Sequence, residues 1–586
     1  MRANKENIKR LTPYICTTWV SGTLFWLLWP ILDSAYVADD IPNSQRSAGL
    51  KAANETLIEF TFRLTRQWMK NEGRFFPVSV FENALIFNTV HSRFLYKLLE
   101  LLAVAVLASC LAAFIQLVTR NWKVTLLTVT SFCVALQVRT WYDPTISFGL
   151  LLPSTGIKAL VSLCLIIIGI RSDKKWITIC TFMGASILWS LALMQYEIVL
   201  LLGSIAILIA LHEIRHSYRK RLIGVLAIIT PSAIFLIISR IIRSGIVASP
   251  AYATNFEINA VSRALKYQLL GGVPLSVPMS GVDGRSGLWN AAQTLPRLEI
   301  FLVCIAIIVM IYLLRSVEIL EIRTRLTIFV SGLALFVLPA IPTSLSVRWQ
   351  SELGPGHAYL PVMLQYLGTA LLLVTAATEI MYALRLLKSH TGRIFEPLVF
   401  VAASVLSILS VATICTNRSG IVYTNKSYIG FRIDREIFEG AMRLGRLENS
   451  LTDGVLLSAT YDPALWVNRE YVSWLGGPLI QSFGRPQDLI SCRVSGAKEC
   501  QMSNGGLYII EHNDSGGATA VFIIVKNWWN SPSTTKDVMS VNAISRQREN
   551  LLCGVEGARK ISGWWLTDCS VKDRSILQKI QAQYLS

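Results

Sequence analysis

The sequence predicts an all-α polytopic membrane domain with about 11 transmembrane helices, followed by a mixed α/β domain outside the membrane. Apolar residues make up 53% of the 586 residues and charged residues only 16%, against about 25% charged in ordinary soluble domains. Apolar stretches long enough to span a bilayer recur through residues 1–415, whereas residues 416–586 mix short apolar runs with polar segments. This composition excludes a disordered chain and a soluble multi-domain protein.

A spanning helix requires about 20 mostly apolar residues, and we predict one for each such stretch. The predicted spans are residues 13–32, 98–118, 122–138, 148–170, 176–194, 196–211, 222–239, 299–314, 326–346, 359–380 and 395–415. No small-x-small cleavage site follows the first stretch, so we expect a retained membrane helix there and not a cleaved signal peptide.

Basic residues in the connections between spans set the predicted orientation. Alternate short connections carry cations, beginning with the N-terminal segment and continuing with Arg120 and Lys123, Arg171 to Lys175, Arg215 to Arg221, Arg315 to Arg325, and Arg385 to Arg393. Cytoplasmic loops are enriched in Lys and Arg, so the N-terminus is predicted to be cytoplasmic. An odd number of crossings then places the C-terminal domain in the periplasm or outside the cell, and the protein in the plasma (inner) membrane.

The net charge of +18 does not indicate nucleic-acid binding, because the excess of Lys and Arg lies among the apolar stretches. Two connections on the predicted outer face are long, at 33–97 and 240–298, while the cytoplasmic ones are short. The functional machinery is therefore expected to face outward. Glycines in the second long loop, at 271–272 and 281–284, suit either a mobile lid or a plain structural loop.

The C-terminal segment 416–586 is predicted to be a soluble domain. Segments 454–460, 506–512 and 518–529 have the pattern of strands, and 434–447 and 573–584 that of helices. Its four cysteines, Cys492, Cys500, Cys553 and Cys569, allow two disulfides in an oxidising compartment or four free thiols. Tryptophans 528, 529, 564 and 565 are either core residues or exposed surfaces on which a ligand could stack.

The first outer loop begins with an acidic pair, Asp39 and Asp40, soon after the first predicted span. An amphipathic helix is predicted over 47–69, because Leu57, Phe60, Leu64 and Trp68 recur at helical spacing. A turn with a cation at membrane level, Glu72-Gly-Arg74-Phe-Phe-Pro, follows it. A solvated acidic turn is the alternative interpretation of the pair.

The second short outer loop, Arg139-Thr-Trp-Tyr-Asp143-Pro, places another acid and cation at a span end. We expect the carboxylates of the two loops to converge on one outer-leaflet site. One carboxylate accepts a proton from an incoming hydroxyl, and another holds the acceptor or a divalent cation. No cofactor is predicted with certainty, and the divalent cation stays an open alternative.

These features resemble the GT-C-type polytopic glycosyltransferases that use polyprenyl-phosphate sugar donors, in particular bacterial O-antigen-modifying, serotype-converting and arabinosyl- or mannosyl-transferring members. The resemblance covers the architecture of about residues 1–415, with local matches at 36–40 (Y-V-A-D-D), 72–77 (E-G-R-F-F-P) and 142–144 (Y-D-P). It implies that Asp39 or Asp40 is the catalytic base, that Asp143 is the second-loop acid, and that the displacement inverts the sugar carbon. The C-terminal segment resembles no known family.

The resemblance implies a polyprenyl-phosphate sugar and a cell-surface glycan, such as the O-antigen of lipopolysaccharide, as substrates. The lipid bilayer and a flippase that delivers the donor are the expected partners, and nucleic acid is not. The sugar phosphate is already activated, and accordingly no P-loop is found. Cations are needed for the departing phosphate, and the outer-face candidates are Arg74, Arg93, Arg139, Lys158, Arg243 and Arg348.

Lys158 lies within the fourth predicted span, where we expect residues 153–156 to break the helix and leave the lysine near the outer face. His357, in a third outer loop, is a substrate-binding candidate, with an interfacial structural histidine as the alternative. Within the acidic pair, Asp40 is the predicted base. The loop is expected to be extended, so adjacent residues point to opposite sides, and Pro42 restrains the backbone before it.

One motif favours a different chemistry. His212-Glu213-Ile-Arg-His216 matches the H-E-x-x-H zinc motif of metalloproteases, which requires a helix. It lies at a predicted cytoplasmic span end among cations that oppose a dication, so a positive-inside anchor is the favoured interpretation. The alternatives to a glycosyltransferase are a polymerase or ligase of lipid-linked glycans, and a transporter or flippase, for which paired halves or broken helices would be expected.

Overall fold

A computed structural model gives the arrangement of the chain. It describes residues 2–139, 143–148, 150–244, 253–280, 320–391 and 395–448, a few positions between 305 and 313, and, beyond 448, the strands named below with a few neighbouring residues. The predicted span 299–314, the four C-terminal cysteines, Trp528, Trp529 and the predicted helix 573–584 lie outside the described residues, apart from isolated positions of the span.

Eight helices among the described residues are long and apolar enough to cross a membrane. They are Pro13–Asp33, Arg93–Thr119, Leu151–Arg171, Lys175–Gln195, Tyr218–Ser244, Ile322–Leu345, Val362–Ala383 and Ser404–Lys426. Two shorter apolar helices, Trp122–Ala135 and Glu197–His212, lie at the third and sixth predicted spans. The prediction of a mostly helical, multi-pass membrane protein is confirmed, and the count of about 11 spans stays a prediction.

The helices are numbered in chain order. They are α1 (Arg2–Leu28), α2 (Asp40–Asn43), α3 (Arg46–Ala52), α4 (Leu57–Glu72), α5 (Pro77–Thr89), α6 (Arg93–Thr119), α7 (Trp122–Ala135), α8 (Leu151–Arg171), α9 (Lys175–Gln195), α10 (Ser204–His212), α11 (Tyr218–Ser244), α12 (Ile258–Gly271), α13 (Ser276–Ser280), α14 (Ile322–Val337), α15 (Ala340–Leu345), α16 (Val347–Glu352), α17 (Val362–Thr391) and α18 (Phe395–Glu448). A 3₁₀ helix at Trp29–Asp33 extends α1, and another at Glu197–Gly203 precedes α10.

The predicted amphipathic helix over 47–69 is two helices. The break falls between α3 and α4, where Asn54 has a left-handed backbone with φ of 50°. Asn is among the residues that adopt this conformation most readily, which explains why the helical periodicity does not continue through it. In α4 the Phe60 side chain is buried whereas Ile58 and Phe62 are exposed, as expected for a helix with one apolar face available to lipid.

The expected helix break at 153–156 is also wrong. Helix α8 begins at Leu151 and runs without interruption to Arg171. Pro153 lies in its first turn, where the missing N–H has no intrahelical partner to lose. Lys158 therefore lies in the second turn of α8. It is close to the end of the span because the helix begins at Leu151, and not because the helix is broken.

The described chain forms two compact units that do not follow chain order. The first unit comprises Met1–Asp33, Ile58–Leu85 and Ser92–Asn425, and the second comprises Ser34–Leu57, Ile86–His91 and Lys426–Ser586. The predicted boundary at 415–416 assigned the whole first outer loop to the membrane domain. In the structure, the acidic segment of that loop groups with the C-terminal segment, because long-range contacts join them.

The second unit contains a seven-stranded sheet in the order β2-β1-β3-β4-β5-β7-β6. Strands β2, β1 and β3 are parallel and the remaining pairs are antiparallel. The strands are β1 (Gly454–Ser458), β2 (Ile480–Phe483), β3 (Gly506–His512), β4 (Ala518–Val525), β5 (Val538–Ser545), β6 (Arg559–Ile561) and β7 (Trp564–Asp568). Strands lie in each of the three segments where they were predicted, and the predicted helix 434–447 lies within α18. The mixed α/β description of this domain stays a prediction.

Close helix packing in the first unit depends on glycine. A Cβ on Gly368 of α17 would lie 2.5 Å from the backbone nitrogen of Phe336 and 2.6 Å from the carbonyl oxygen of Gly332, both in α14. Backbones approach this closely in membranes only where small residues form the contact. The packing of α14 against α17 therefore specifies a residue without a side chain at position 368.

We predict that Gly368→Ala destabilises the protein although alanine is the better helix former. The added methyl meets backbone atoms that cannot move aside, so the free energy of unfolding should fall by about 1–3 kcal/mol. Thermal or denaturant unfolding of the detergent-solubilised protein measures this. Gly22→Ala in α1 is the matched control, because a Cβ there has no neighbour within 4 Å. Equal stability of the two variants would contradict the packing described.

Candidate functional site

The acidic pair lies in the second unit and its two carboxylates have different environments. Asp40 is the first residue of α2 and is 1% exposed, while Asp39 is exposed at the N-cap position. The predicted extended conformation is wrong, because both residues enter a short helix. Pro42 is compatible with it, since a proline in the first turn has no hydrogen bond to lose. Successive helical residues point about 100° apart, so the two carboxylates still point in different directions.

Local backbone contacts hold this turn. The N–H of Asp40 donates to the carbonyl of Val37 at 3.1 Å, and the N–H of Ser44 donates to the carbonyl of Asp40 at 2.9 Å. Ala38, between Val37 and Asp40, has a φ of 52°, a left-handed conformation that is uncommon for a residue with a side chain. Such a conformation persists when the surrounding structure holds it in place.

Asp143 lies in the first unit and organises the loop before α8. Its carboxylate accepts hydrogen bonds from the backbone N–H groups of Arg139 at 2.5 Å, Thr145 at 2.7 Å and Ile146 at 3.1 Å. Burial raises the pKa of the carboxyl, although these donors and the charge of Arg139 oppose the rise. The observed contacts are those of a loop-stabilising residue, and a role as second acid stays a prediction.

Arg139 is almost fully buried, at 2% exposed, and not at an open loop surface. Its guanidinium donates to the hydroxyl of Tyr366 and to the carbonyl of Gly271. The Tyr366 hydroxyl in turn donates to the carbonyl of Gln137 at 3.0 Å. Arg139 thus joins the segment after α7 to α12 and α17. A phosphate would have to compete with these contacts.

Arg74 forms an ion pair with Glu197, a residue that the sequence analysis did not select. Its Nη2 and Nε lie 2.7 Å and 2.9 Å from the Glu197 Oε1. The guanidinium lies 4.9 Å from the ring centroid of Phe76 and 6.0 Å from that of Tyr196. The aromatic residues of the turn thus lie beside its cation, and cation–π contacts help to hold the charge there.

Lys158 lies in a polar cluster with three other side chains. Its Nζ is 2.7 Å from the Glu82 Oε1, 2.6 Å from the Gln195 Oε1 and 2.6 Å from the Ser154 Oγ. Glu82 Oε2 accepts hydrogen bonds from Ser154 and Gln195, both at 2.9 Å. Ser154 lies near the start of α8 and Gln195 is the last residue of α9, so the lysine charge is compensated close to the end of the span, with Glu82 of α5 as its ionic partner.

These two clusters adjoin each other. Gln195 belongs to the Lys158 cluster, Glu197 pairs with Arg74, and Tyr196 between them is buried. The first unit therefore brings two predicted phosphate-binding cations to one short segment, 195–197. Glu82 lies in the first predicted outer loop, and Gln195 and Glu197 lie where two predicted spans meet. Single polar residues in such positions give no signal without knowledge of which helices pack together.

The other predicted cations and His357 also have partners, some local and some distant in sequence. Arg348 pairs with Glu352 one turn later at 2.8 Å, and its guanidinium lies 4.8 Å from the ring of Trp349. Arg93 donates to the carbonyl of Leu32 at 2.8 Å, and Arg243 donates to that of Gly73 at 3.3 Å. His357 is half-buried in the loop before α17, where its backbone N–H donates to the carbonyl of Gly354 at 3.0 Å.

The H-E-x-x-H motif does not have the geometry of a zinc site. Helix α10 ends at His212, so the two histidines are not one helical turn apart. Both face Glu213, with His212 Nδ1 2.9 Å and His216 Nε2 3.4 Å from its oxygens. Burial raises the pKa of Glu213, but hydrogen bonds from His212 and Arg171 outweigh it and lower the pKa to about 2. Within the part of the chain that the structure describes, no group of three or more His, Cys, Asp or Glu residues is arranged to hold a metal ion.

Comparison with known proteins gives limited information. No protein-family model matches the chain, and no curated protein matches its sequence. Among solved structures, the crystal structure of ArnT from Cupriavidus metallidurans bound to undecaprenyl phosphate is similar over 84% of this chain and 92% of that chain, with 12% identity and a TM-score of 0.41. A similarity at this level assigns no function, and the function below is argued from this chain's own residues.

The Glu82–Lys158 pair should show energetic coupling. We predict that Glu82→Gln and Lys158→Gln each lower the free energy of unfolding, and that the double variant loses less than the sum by about 0.5–3 kcal/mol. The reason is that each single change leaves a charge without its partner at a membrane span end. Denaturant unfolding in detergent measures the cycle. The Arg348–Glu352 pair is the matched control, because its greater exposure predicts a coupling of only about 0–1 kcal/mol. Additive losses for Glu82 and Lys158 would contradict the prediction.

Proposed function

We propose that this protein is an integral membrane glycosyltransferase that transfers a sugar from a polyprenyl-phosphate donor to a glycan acceptor on the outer face of the membrane. The observation that carries the proposal is the position of Asp40. A buried carboxylate occupies a short helix directly after the first apolar helix of a multi-pass chain. A general base in a loop at a span end is suited to a donor whose lipid lies in the bilayer and whose sugar lies at the surface.

The proposed chemistry is a single displacement at the sugar carbon. The acceptor hydroxyl oxygen forms a bond to that carbon while the bond from the carbon to the phosphate oxygen breaks. The electron pair leaves with the phosphate, and the hydroxyl proton passes to the Asp40 carboxylate. The exposed Asp39 orients the acceptor. Asp143 is retained as a second acid, in the loop before α8. A divalent cation bound by the acids is an alternative, and the metal content of the active protein tests it.

Arg74 and Lys158 are proposed to stabilise the departing phosphate. Both are cations within the cluster around 195–197, and both are held in place by carboxylates, Glu197 and Glu82. A preorganised cation stabilises developing negative charge without having to reorganise during the reaction. Arg348 and His357 are retained as further substrate-binding residues. Arg139, which the sequence predicts to bind substrate, is proposed instead to position its loop through its buried contacts with Tyr366 and Gly271.

The orientation is part of the proposal. The N-terminus is cytoplasmic and the C-terminal domain periplasmic, in the inner membrane, because cations are concentrated on alternate connections. The donor is then used on the outer face of the membrane, whereas nucleotide sugars are made in the cytoplasm. A flippase that moves the donor across the membrane is therefore the expected partner. The acceptor is proposed to be a surface glycan of the O-antigen or lipopolysaccharide type, as the resemblance of the sequence implies.

A transfer assay tests the function. Purified protein in lipid is mixed with radiolabelled polyprenyl-phosphate hexoses and pentoses and with lipopolysaccharide acceptors, and the label in the acceptor is measured. Transfer from a monophosphate donor supports the proposal. Transfer only from diphosphate-linked oligosaccharides would identify a ligase or polymerase instead. Movement of labelled lipid across the bilayer without transfer would identify a transporter.

Substitution of the acidic pair gives the first catalytic prediction. Asp40→Asn keeps the shape of the side chain and removes the base, so the transfer rate should fall by about a hundredfold or more. Asp39→Asn should have a smaller effect because its exposed carboxylate does not take the proton. Donor binding, measured with the labelled lipid, should survive in both variants. If both correctly inserted variants transfer sugar at the wild-type rate, the assignment of Asp40 is wrong.

The phosphate site gives the second catalytic prediction. Arg74→Ala should lower the transfer rate by at least about tenfold, an effect expected for loss of one charge-assisted contact in the transition state. Arg74→Lys should restore only part of the rate, since an ammonium lacks the planar fork of a guanidinium. Arg66→Ala is the matched control, because Arg66 is exposed on α4 of the same outer loop. An equal rate for the Arg74→Ala and Arg66→Ala variants would leave Arg74 as an interfacial anchor.

A further inference from the structure

A buried guanidinium in the second unit contacts the segment that carries the acidic pair. Arg435 of α18 is 8% exposed and lies between two tyrosine rings. Its guanidinium carbon is 4.7 Å from the ring centroid of Tyr36 and 5.1 Å from that of Tyr471. Stacking on aromatic faces is a preferred setting for a buried guanidinium, because the ring quadrupole compensates part of the lost hydration.

Hydrogen bonds fix the orientation of this group. Its Nε donates to the Glu439 Oε1 at 2.8 Å, its Nη2 to the Tyr471 hydroxyl at 3.1 Å, and its Nη1 to the Ser44 hydroxyl. The Tyr471 hydroxyl itself donates to the Glu439 Oε1 at 2.6 Å. Burial alone would lower the pKa of Arg435, but Tyr471 and Glu439 outweigh it and raise the pKa, so the residue is fully charged.

The two loop residues that Arg435 contacts bracket α2. Tyr36 lies before the left-handed residue Ala38, and Ser44 is the C-cap residue of α2. The Ser44 hydroxyl donates to the carbonyl of Ile41, and its N–H donates to that of Asp40. One side chain, 391 positions away from Ser44 in the sequence, thus holds both ends of the turn that presents Asp40.

We propose that Arg435 is a positioning residue for the acidic pair, which it holds in place through Tyr36 and Ser44 while Glu439 and Tyr471 orient it. The catalytic consequence rests on the proposed function, in which Asp40 is the base. The left-handed Ala38 favours unwinding of the turn once this contact is lost, because a residue with a side chain leaves that conformation when nothing holds it. The C-terminal segment therefore contributes directly to the geometry of the acidic site.

Hydrogen exchange of the full-length protein tests the positioning without any substrate. Mass spectrometry follows the amides of residues 36–45 in the wild type, Arg435→Gln and Arg435→Lys. Arg435→Gln should exchange at least about tenfold faster there, and Arg435→Lys should be intermediate. Arg432→Gln is the matched control. Arg432 lies one turn before Arg435 on the same helix and pairs with Glu436. Wild-type exchange in the Arg435→Gln protein, or equal acceleration in the control, overturns the proposal.

Tyr471→Phe keeps the test decisive if Arg435→Gln does not fold. It retains the ring and removes the hydroxyl that links Arg435 to Glu439, so faster exchange over 36–45 is again expected. Unchanged exchange in a folded Tyr471→Phe protein counts against the proposed role of that hydroxyl in orienting Arg435, and together with unchanged exchange in Arg435→Lys it overturns the proposal.

Steady-state transfer kinetics test the catalytic consequence. Arg435→Gln should lower kcat by at least about tenfold and leave KM for the lipid donor within about twofold, with partial recovery in Arg435→Lys. A residue that only stabilises the fold would lower the active fraction without rescue by lysine. Faster exchange with an unchanged kcat overturns the catalytic consequence. Absence of transfer in the wild type with every donor means that the proposed function fails, and the exchange result still decides whether Arg435 positions the turn.

Discussion

Several charges near the ends of the apolar helices are held in ion pairs, and these pairs join the segments around the candidate site. The clearest case is Lys97 with Glu100, which lie 2.9 Å apart with no exposed side-chain surface. An isolated charge in such a place costs several kcal/mol, and removing one partner leaves that cost uncompensated. Lys97 also donates to the carbonyl of Ile146, so this pair fixes the loop that Asp143 organises from the other side.

The same constraint explains where the candidate site lies. A polar side chain at a span end needs a partner from a neighbouring segment. The last residue of α9, Gln195, is a partner of Lys158, and Glu197 in the 3₁₀ helix that follows is the partner of Arg74. In the proposed function, these two cations bind the phosphate of the lipid donor. An incoming phosphate would replace one carboxylate as the partner of a cation, so that the charge balance is kept throughout.

The sequence predicts the local features well. Apolar length and loop cations give the membrane class and most span positions, and the strands at Gly454–Ser458, Gly506–His512 and Ala518–Val525 follow from their β-branched and aromatic residues. Local errors have local causes. Asn54 interrupts the predicted amphipathic helix, and Pro153 begins α8 where a break was expected.

Contacts between distant segments are what the sequence does not reveal. Nothing in the sequence of residues 34–57 indicates that they pack with residues beyond 426. In the sequence, Arg435 is only one of several basic residues along a predicted helix. The same holds for Glu82 and Glu197, which pair with Lys158 and Arg74 only because of how their helices pack. The resemblance in sequence predicts which loops carry the site, whereas the partners that hold those loops come from the tertiary structure.

Photo-crosslinking with a donor analogue tests the central claim most directly. A polyprenyl phosphate with a diazirine beside the phosphate is bound to the purified protein in lipid, irradiated, and the labelled peptides are identified by mass spectrometry. The account predicts labelling within 72–82 and 154–158, the segments that carry the proposed phosphate-binding cations, suppressed by excess unlabelled polyprenyl phosphate. Labelling confined to the connections that are proposed to be cytoplasmic, such as 212–221, with none within 72–82 or 154–158, would contradict it.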